Sequence, residues 1–162
     1  MIRKVFKKKS TSKKLDAIIK KYKIPPEFLL TNRKSVSRAV AIGIFVALIP
    51  MPMQMLLIIF LLPIFRFNAP IGLAMVWLSN PFSMPIMYYI EYLTGNFLLG
   101  YPPVEKIDIS LKWFENNLDN ILVPLYTGTL FYAIIISSIT FYAINHLWFH
   151  SVHKEKKRRR KK

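Results

Sequence analysis

The sequence contains no cysteine among its 162 residues, and its middle section carries almost no charge. The missing cysteine excludes disulfide bonds, cysteine-ligated metal centres and thiol nucleophiles. The chain also lacks a glycine-rich nucleotide loop, a catalytic triad pattern and a carboxylate pair, and it has only three histidines. We therefore expect no enzyme activity, no cofactor and no metal site.

Charge is concentrated at the two ends of the chain. Residues 1–38 hold thirteen Lys/Arg and two acids, and residues 151–162 hold eight Lys/Arg and one acid. The 112 residues between them hold three basic and five acidic side chains. Long uncharged apolar runs are typical of membrane segments, since about 20 helical residues span about 30 Å of hydrocarbon. Basic flanks are retained on the cytoplasmic side. The pattern predicts an all-α integral membrane protein, multi-pass in the bacterial cytoplasmic (inner) membrane, with both termini cytoplasmic.

The charge map divides the chain into a basic cytoplasmic arm at 1–14, a single membrane domain at 15–150 and a basic cytoplasmic tail at 151–162. At 13–23, apolar residues recur at helical spacing opposite lysines, which predicts an N-terminal amphipathic interfacial helix. The basic residues that we expect at anionic lipid head groups are Lys13, Lys14, Lys20, Lys21, Arg158, Arg159 and Arg160.

Prolines interrupt two of the three apolar segments. Segment 39–65 contains Pro50-Met51-Pro52, and segment 69–100 contains the polar stretch from Asn80 to Pro85. Proline lacks the N–H that a continuing helix needs, so each segment should break there. Segment 120–150 has Pro124 and Gly128 near its start and is otherwise a plain span. The first membrane helix is expected to begin at Ser35 or Ser37, whose hydroxyls can cap it.

The number of membrane crossings follows from the charged residues. Two cytoplasmic ends require an even number of crossings, and the acid-rich loop 101–119 belongs outside, where its spacing predicts a short interfacial helix. Arg66 is best placed at the cytoplasmic surface. We therefore interpret 39–65 as a re-entrant hairpin, 69–100 as a broken span and 120–150 as a full span, so that broken or re-entrant helices accompany one or two full spans.

The two breaks are the predicted binding site. Irregular backbone at membrane depth is tolerated only where it is buried in protein or lines a watery cavity, so the breaks should face each other or a partner subunit. Half-helix N-termini hold anionic or polar groups in many transporters. Plain kinking of long helices is an equally weighted alternative. The candidate substrate-binding residues are Pro50, Pro52, Gln54, Asn80, Pro81, Ser83, Pro85, Tyr88 and Glu91.

Two further features have competing interpretations. Glu91 is an isolated acid in an apolar helix, which makes it a functional candidate. Alternatively it reaches the outer interface or bonds a tyrosine such as Tyr88 or Tyr92. The three histidines, His146, His150 and His153, share one helical face and have the spacing of a zinc site, but the neighbouring basic residues oppose a cation.

The stretches Gly43–Gln54, Trp77–Pro85, Tyr88-Tyr89 and Gly95…Gly100 resemble the bacterial membrane family called domain of unknown function 2062. The likeness covers roughly residues 15–150. Met53 stands where such families often carry glycine. The resemblance implies a small inner-membrane protein, fused in some relatives to envelope-sugar enzymes, and it implies a fold rather than an activity.

Three functions remain open at this stage. The leading hypothesis is transport or lipid handling of an anionic amphiphile or ion at the paired breaks. The alternative is a non-transporting scaffold for envelope-synthesis enzymes, and the weakest is a nucleic-acid tether through 154–162. The expected partners are anionic membrane lipids, with a homo-oligomer and envelope-biosynthesis enzymes as further partners.

The topology is testable with single cysteines at Lys8, Ser110 and Arg158, because the native chain has none. In intact cells, an impermeant maleimide should label only the Ser110 position, since the positive-inside rule holds both ends in the cytoplasm. Labelling of the Arg158 position from outside would contradict the even number of crossings.

Overall fold

The computed structural model describes residues 25–102 and 118–159, and every regular element in these ranges is helical. A 3₁₀ turn at Pro26–Leu29 precedes five α-helices. They are α1 (Arg33–Leu48), α2 (Gln54–Phe65), α3 (Ala69–Val76), α4 (Met84–Leu99) and α5 (Leu118–Arg159). The predicted interfacial helices at 13–23 and within 101–119 lie outside the described residues.

Helix α1 begins earlier than the sequence predicts. The side chain of Asn32 accepts a hydrogen bond from the Ser35 backbone N–H at 2.8 Å, so Asn32 is the N-cap. The expected cap at Ser35 or Ser37 is therefore wrong. Both serines are buried inside the helix, at 4% and 0% exposure. Asparagine caps a helix as well as serine does, and it stands one residue before the first helical turn.

Both predicted helix breaks are present. Helix α1 stops at Leu48, and Ile49 is extended because it precedes Pro50. Helix α2 starts at Gln54 after Met53, which takes a left-handed conformation with φ 62°. That conformation costs a non-glycine residue about 1–2 kcal/mol, so the turn forms although glycine is missing. The second break separates Val76, the end of α3, from Met84, the start of α4.

Helices α1 and α2 form an antiparallel hairpin whose open ends are tied together. Arg38 Nη1 donates to the Phe65 carbonyl at 3.2 Å across these ends. The next loop is fixed there too, since the Asn68 backbone N–H donates to the Ser35 carbonyl and its side-chain Nδ2 to the Leu30 carbonyl. Arg66 thus returns to the level at which α1 begins.

The buried core lies between α1, α2 and α3. It is an apolar cluster in which Ala39, Ile58 and Phe67 are fully buried. Backbone and side-chain atoms of α3 lie very close to α1. A Cβ added to Gly43 would lie 2.5 Å from the Met75 Cβ. Burial of these side chains holds the hairpin against α3, at about 25 cal/mol for each Å² of apolar surface removed from water.

Helices α4 and α5 pack antiparallel at very close range. A Cβ added to Gly95 would overlap the Pro124 carbonyl, and one added to Gly128 would overlap the Glu91 carbonyl. As residue numbers rise along α4 they fall along α5, which sets the antiparallel direction. Small residues at such crossings let backbones approach and are common between membrane helices.

One helix in the described ranges is long and apolar enough to cross a membrane. It is the part of α5 from Asn120 to His153, with a mean hydropathy of 1.7 in its most apolar window. The helix does not stop at 150, because it continues through the basic sequence to Arg159. Large apolar side chains face outward on several helices, including Phe60 at 70% and Phe97 at 85% exposure. Extended exposed apolar surface marks contact with lipid or with another protein.

The close crossing predicts a steep steric penalty. Gly128→Val should lower the free energy of unfolding by about 3 kcal/mol, because its side chain must push α4 away from α5. Gly100→Ala is the control, since nothing lies within 4 Å of its Cβ position and only its φ of +69° opposes the change. The control should cost about 1 kcal/mol. Unfolding by sodium dodecyl sulfate, followed by circular dichroism, measures both, and equal losses would contradict the packing.

Candidate functional site

The first break is held by the side chain of Gln54, which is 7% exposed. Its Nε2 donates to the Ile49 carbonyl at 2.8 Å, bridging the gap in the helix. Its Oε1 accepts a hydrogen bond from the Ser79 hydroxyl at 2.7 Å. One amide therefore closes the first break and joins it to the second.

The second break is organised by Asn80 and Ser83. Asn80 Oδ1 accepts from the backbone N–H groups of Phe82 and Ser83 at 3.0 and 3.1 Å. The Ser83 hydroxyl accepts from the Asn80 N–H at 3.0 Å and also donates to the Leu78 carbonyl. These bonds form a polar turn that immediately precedes α4. Pro85 lies in the first turn of that helix. Asparagine and serine hold such turns because their short side chains reach local backbone groups.

The two breaks line a single open cleft of about 460 Å³. Helices α2 and α4 both begin there, so two helix N-termini with their positive dipole ends border it. The surface is mainly apolar, with Met53 74% and Trp77 68% exposed. The methionines at the cleft can adapt to irregular apolar groups. They are Met51, Met53, Met55 and Met84.

Helix α5 contacts the first break through Tyr126. Its hydroxyl donates to the Pro50 carbonyl at 2.8 Å. That carbonyl could not be satisfied by a regular helix because the chain turns away at Pro52. The bond attaches the tip of the hairpin to α5. The position of the cleft therefore depends on how α5 packs against the hairpin.

Glu91 is not at the cleft; it lies deep in the α4–α5 contact, at 2% exposure. Its Oε2 accepts from the Thr129 hydroxyl at 2.7 Å, while its Oε1 has no hydrogen-bond partner among the described residues. Asn96, one turn further on, is 4% exposed, and neither polar atom of its side chain has a partner there. A Glu91 that snorkels to the interface is excluded by this burial. Its hydroxyl partner Thr129 was not singled out from the sequence.

The structure brings together only part of the predicted set of site residues. Pro52, Gln54, Asn80 and Pro81 line the cleft. Pro50, Ser83 and Pro85 flank it in the two breaks, whereas Tyr88 and Glu91 lie further along α4. Among the predicted lipid-binding residues, Lys13, Lys14, Lys20, Lys21 and Arg160 lie outside the described residues. Arg158 and Arg159 fall at the end of α5.

Ser79, Tyr126 and Thr129 carry interactions that sequence reasoning missed. Each is a polar residue within an otherwise apolar stretch, which was the available signal. The histidines show ring contacts with neighbours on α5, such as His146 with His150 at 6.4 Å between ring centres. In the described ranges, no three His, Asp or Glu side chains are grouped to hold a metal ion.

A long apolar helix, exposed apolar helix faces and two polar helix breaks together define an all-helical protein with a candidate membrane span. Residues 17–157 match the bacterial family described as "Uncharacterized protein conserved in bacteria (DUF2062)". The match covers most of the chain, and the protein belongs to that family. No curated protein and no solved structure matches it.

Glu91 gives a test of the buried α4–α5 contact. Glu91→Ala should lower the free energy of unfolding by about 2–4 kcal/mol, because it opens a cavity and leaves the Thr129 hydroxyl without its acceptor. Glu91→Gln retains an acceptor of similar size and should change stability by less than about 1 kcal/mol. Detergent unfolding of both variants, beside Thr129→Val, checks this. A Glu91→Ala protein as stable as the native one would contradict the contact.

Proposed function

We propose that this protein is a multi-pass protein of the bacterial inner membrane that binds and moves an anionic amphiphile at the cleft between its two helix breaks. The observation that carries the proposal is the hydrogen bond from Ser79 to Gln54, at 2.7 Å, which joins the breaks in one cleft. Separate kinks in two long helices would not require such a bond. The pairing therefore favours the discontinuous-helix interpretation over simple kinking.

The chemistry of the cleft favours an amphiphile over a bare ion. Gln54 and Asn80 already use side-chain atoms to satisfy the backbone of the breaks. What remains for a ligand is adaptable apolar surface beside two helix N-termini. An acyl chain fits the apolar surface, and a negatively charged head group is attracted by the positive dipole ends.

The hairpin of α1 and α2 supports a re-entrant path. Its open end carries Arg38 and Arg66, while its tip at Met53 is uncharged and exposed. Arginine favours the membrane surface and an apolar tip favours the hydrocarbon interior. We infer that the hairpin enters from the cytoplasmic face and returns to it.

The remaining helices have lengths that suit two crossings. Helices α3 and α4 together contain 24 residues. At 1.5 Å per residue they reach about 36 Å, enough to cross the hydrocarbon core of about 30 Å. Because α3 begins beside the start of α1, and α4 runs antiparallel to α5, the broken span leads outward and α5 leads back. This path agrees with the proposal that both basic ends lie in the cytoplasm.

A scaffold that positions envelope-synthesis enzymes is the second candidate, and the length of α5 favours it. Its 42 residues make a helix of about 63 Å, roughly twice the thickness of the hydrocarbon core. The part of α5 that exceeds this thickness includes the basic sequence after the last apolar turn. Such a rigid basic extension suits contact with acidic head groups or with an acidic protein surface.

Locking the two breaks together tests the proposal. We expect the full chain, reconstituted in vesicles, to speed the transbilayer movement of fluorescently labelled phosphatidylglycerol, measured by dithionite quenching. Gln54→Cys/Ser79→Cys, bridged by a short bis-methanethiosulfonate reagent, should slow this movement about tenfold, because the cleft can no longer open. Cleavage of the bridge with dithiothreitol should restore the rate.

The matched control places the same bridge elsewhere. Thr94 and Tyr132 also contact each other, at 3.1 Å between their hydroxyl oxygens, but in the α4–α5 contact. Thr94→Cys/Tyr132→Cys should retain lipid movement after bridging. If the native protein moves lipid no faster than protein-free vesicles do, the transport proposal is wrong and the scaffold remains.

A further inference from the structure

A second cleft lies at the opposite end of α1 from the helix breaks. It has a volume of about 430 Å³ and is lined by the first turns of α1, the segment before it and the end of α2. Four cationic side chains border it, those of Arg33, Lys34, Arg38 and Arg66, against the one carboxylate of Glu27. This cluster is independent of the break cleft and of the basic tail.

Three of the cationic residues are neighbours on α1, and tertiary structure adds the fourth, Arg66. Arg66 follows α2 and lies 28 residues after Arg38 in the sequence. The open end of the hairpin brings the two together, since Arg38 Nη1 donates to the carbonyl of Phe65 at 3.2 Å. That bond leaves the remaining donors of the Arg38 guanidinium available for a ligand. All four cationic residues are exposed.

Ser35 is the second observation that indicates a ligand. It lines the same cleft, is 4% exposed, and its hydroxyl has no hydrogen-bond partner among the described residues. A buried hydroxyl without a partner is costly, and native structures nearly always pair such a group with protein or water. The Ser35 hydroxyl is therefore a donor that a bound group can use. Ser35 lies in the first turn of α1, where the helix dipole is positive; its own backbone N–H already donates to Asn32, so its hydroxyl is the group left for a ligand.

We propose that this cleft binds a phosphate group. Arg38 and Arg66 supply planar guanidinium donors, Lys34 adds a point charge, and the Ser35 hydroxyl at the start of α1 adds a further donor. Among the described residues that line the cleft, Glu27 is the one carboxylate. Arginine forks match phosphate oxygens in pairs, and helix N-termini bind phosphate through their N–H groups. Both a lipid head group and free phosphate present this chemistry.

The binding test uses the full chain in a neutral detergent and isothermal titration calorimetry. The probes are inorganic phosphate, short-chain phosphatidylglycerol, and short-chain diacylglycerol as the phosphate-free control. Arg38→Gln/Arg66→Gln should weaken binding of the phosphate-bearing probe about tenfold or more, because it removes two charge-assisted contacts. The matched control Lys106→Gln/Lys112→Gln removes the same charge from the loop at 101–119 and should weaken binding less than about twofold.

The probes distinguish the sources of the phosphate. Binding of the lipid but not of inorganic phosphate assigns a head group, and comparable binding of both assigns free phosphate. Three results would overturn the proposal: no binding of either phosphate probe, equal loss in the cleft and loop variants, or equal binding of the diacylglycerol.

Ser35→Ala keeps the proposal testable if the double arginine variant does not fold. Its hydroxyl has no partner to lose, so the thermal midpoint without ligand should be unchanged or higher. Binding of the same probe should weaken about threefold, since one donor to the phosphate is removed. A lower midpoint together with unchanged binding would show a purely structural serine and would contradict the role given to it.

Discussion

The structure depends on one constraint: a helix interrupted inside an apolar environment must satisfy the backbone groups that the interruption exposes. An unpaired buried backbone group costs free energy comparable to a lost hydrogen bond. Gln54 meets this need at the first break by donating to Ile49, and Asn80 meets it at the second by accepting from two backbone N–H groups. Tyr126 of α5 satisfies the Pro50 carbonyl. The breaks are therefore stable features of the fold, although prolines initiate them.

The same side chains explain why the breaks are adjacent. Gln54 has an oxygen left after it bridges its own break, and the Ser79 hydroxyl donates to it. Two buried polar groups in an apolar surrounding are stabilised by bonding to each other, because each alone would lose its water partners without a replacement. The surface of the resulting cleft is mainly apolar, and the hydrogen bonds that hold the two breaks together lie beneath it. For the amphiphile that we propose as its ligand, selectivity should thus be set more by apolar contacts and helix dipoles than by the predicted amide side chains.

The chain has two separate sets of polar features, with different environments. The buried pair Glu91 and Thr129 lies where α4 and α5 approach at Gly95 and Gly128. The cationic cleft at Arg38 and Arg66 lies at the open end of the hairpin. The first fixes how two helices cross and the second faces outward from the fold. A phosphate bound at the second would neutralise part of the positive charge of its four cationic side chains, which among the described lining residues face one carboxylate, that of Glu27.

The sequence by itself determined the helical class, the positions of both breaks and the apolar character of α5, because proline chemistry and hydropathy are local properties. It also carried the family motifs, which the match over 17–157 confirms. It misplaced the start of α1, since Asn32 and the serines are all competent caps and only packing selects among them. Tertiary structure alone decided that Ser79 would meet Gln54, that Glu91 would face Thr129 rather than the cleft, and that Arg66 would lie near Arg38. Those contacts join residues 25 to 38 positions apart, and their partners are set by how helices pack, which no local pattern encodes.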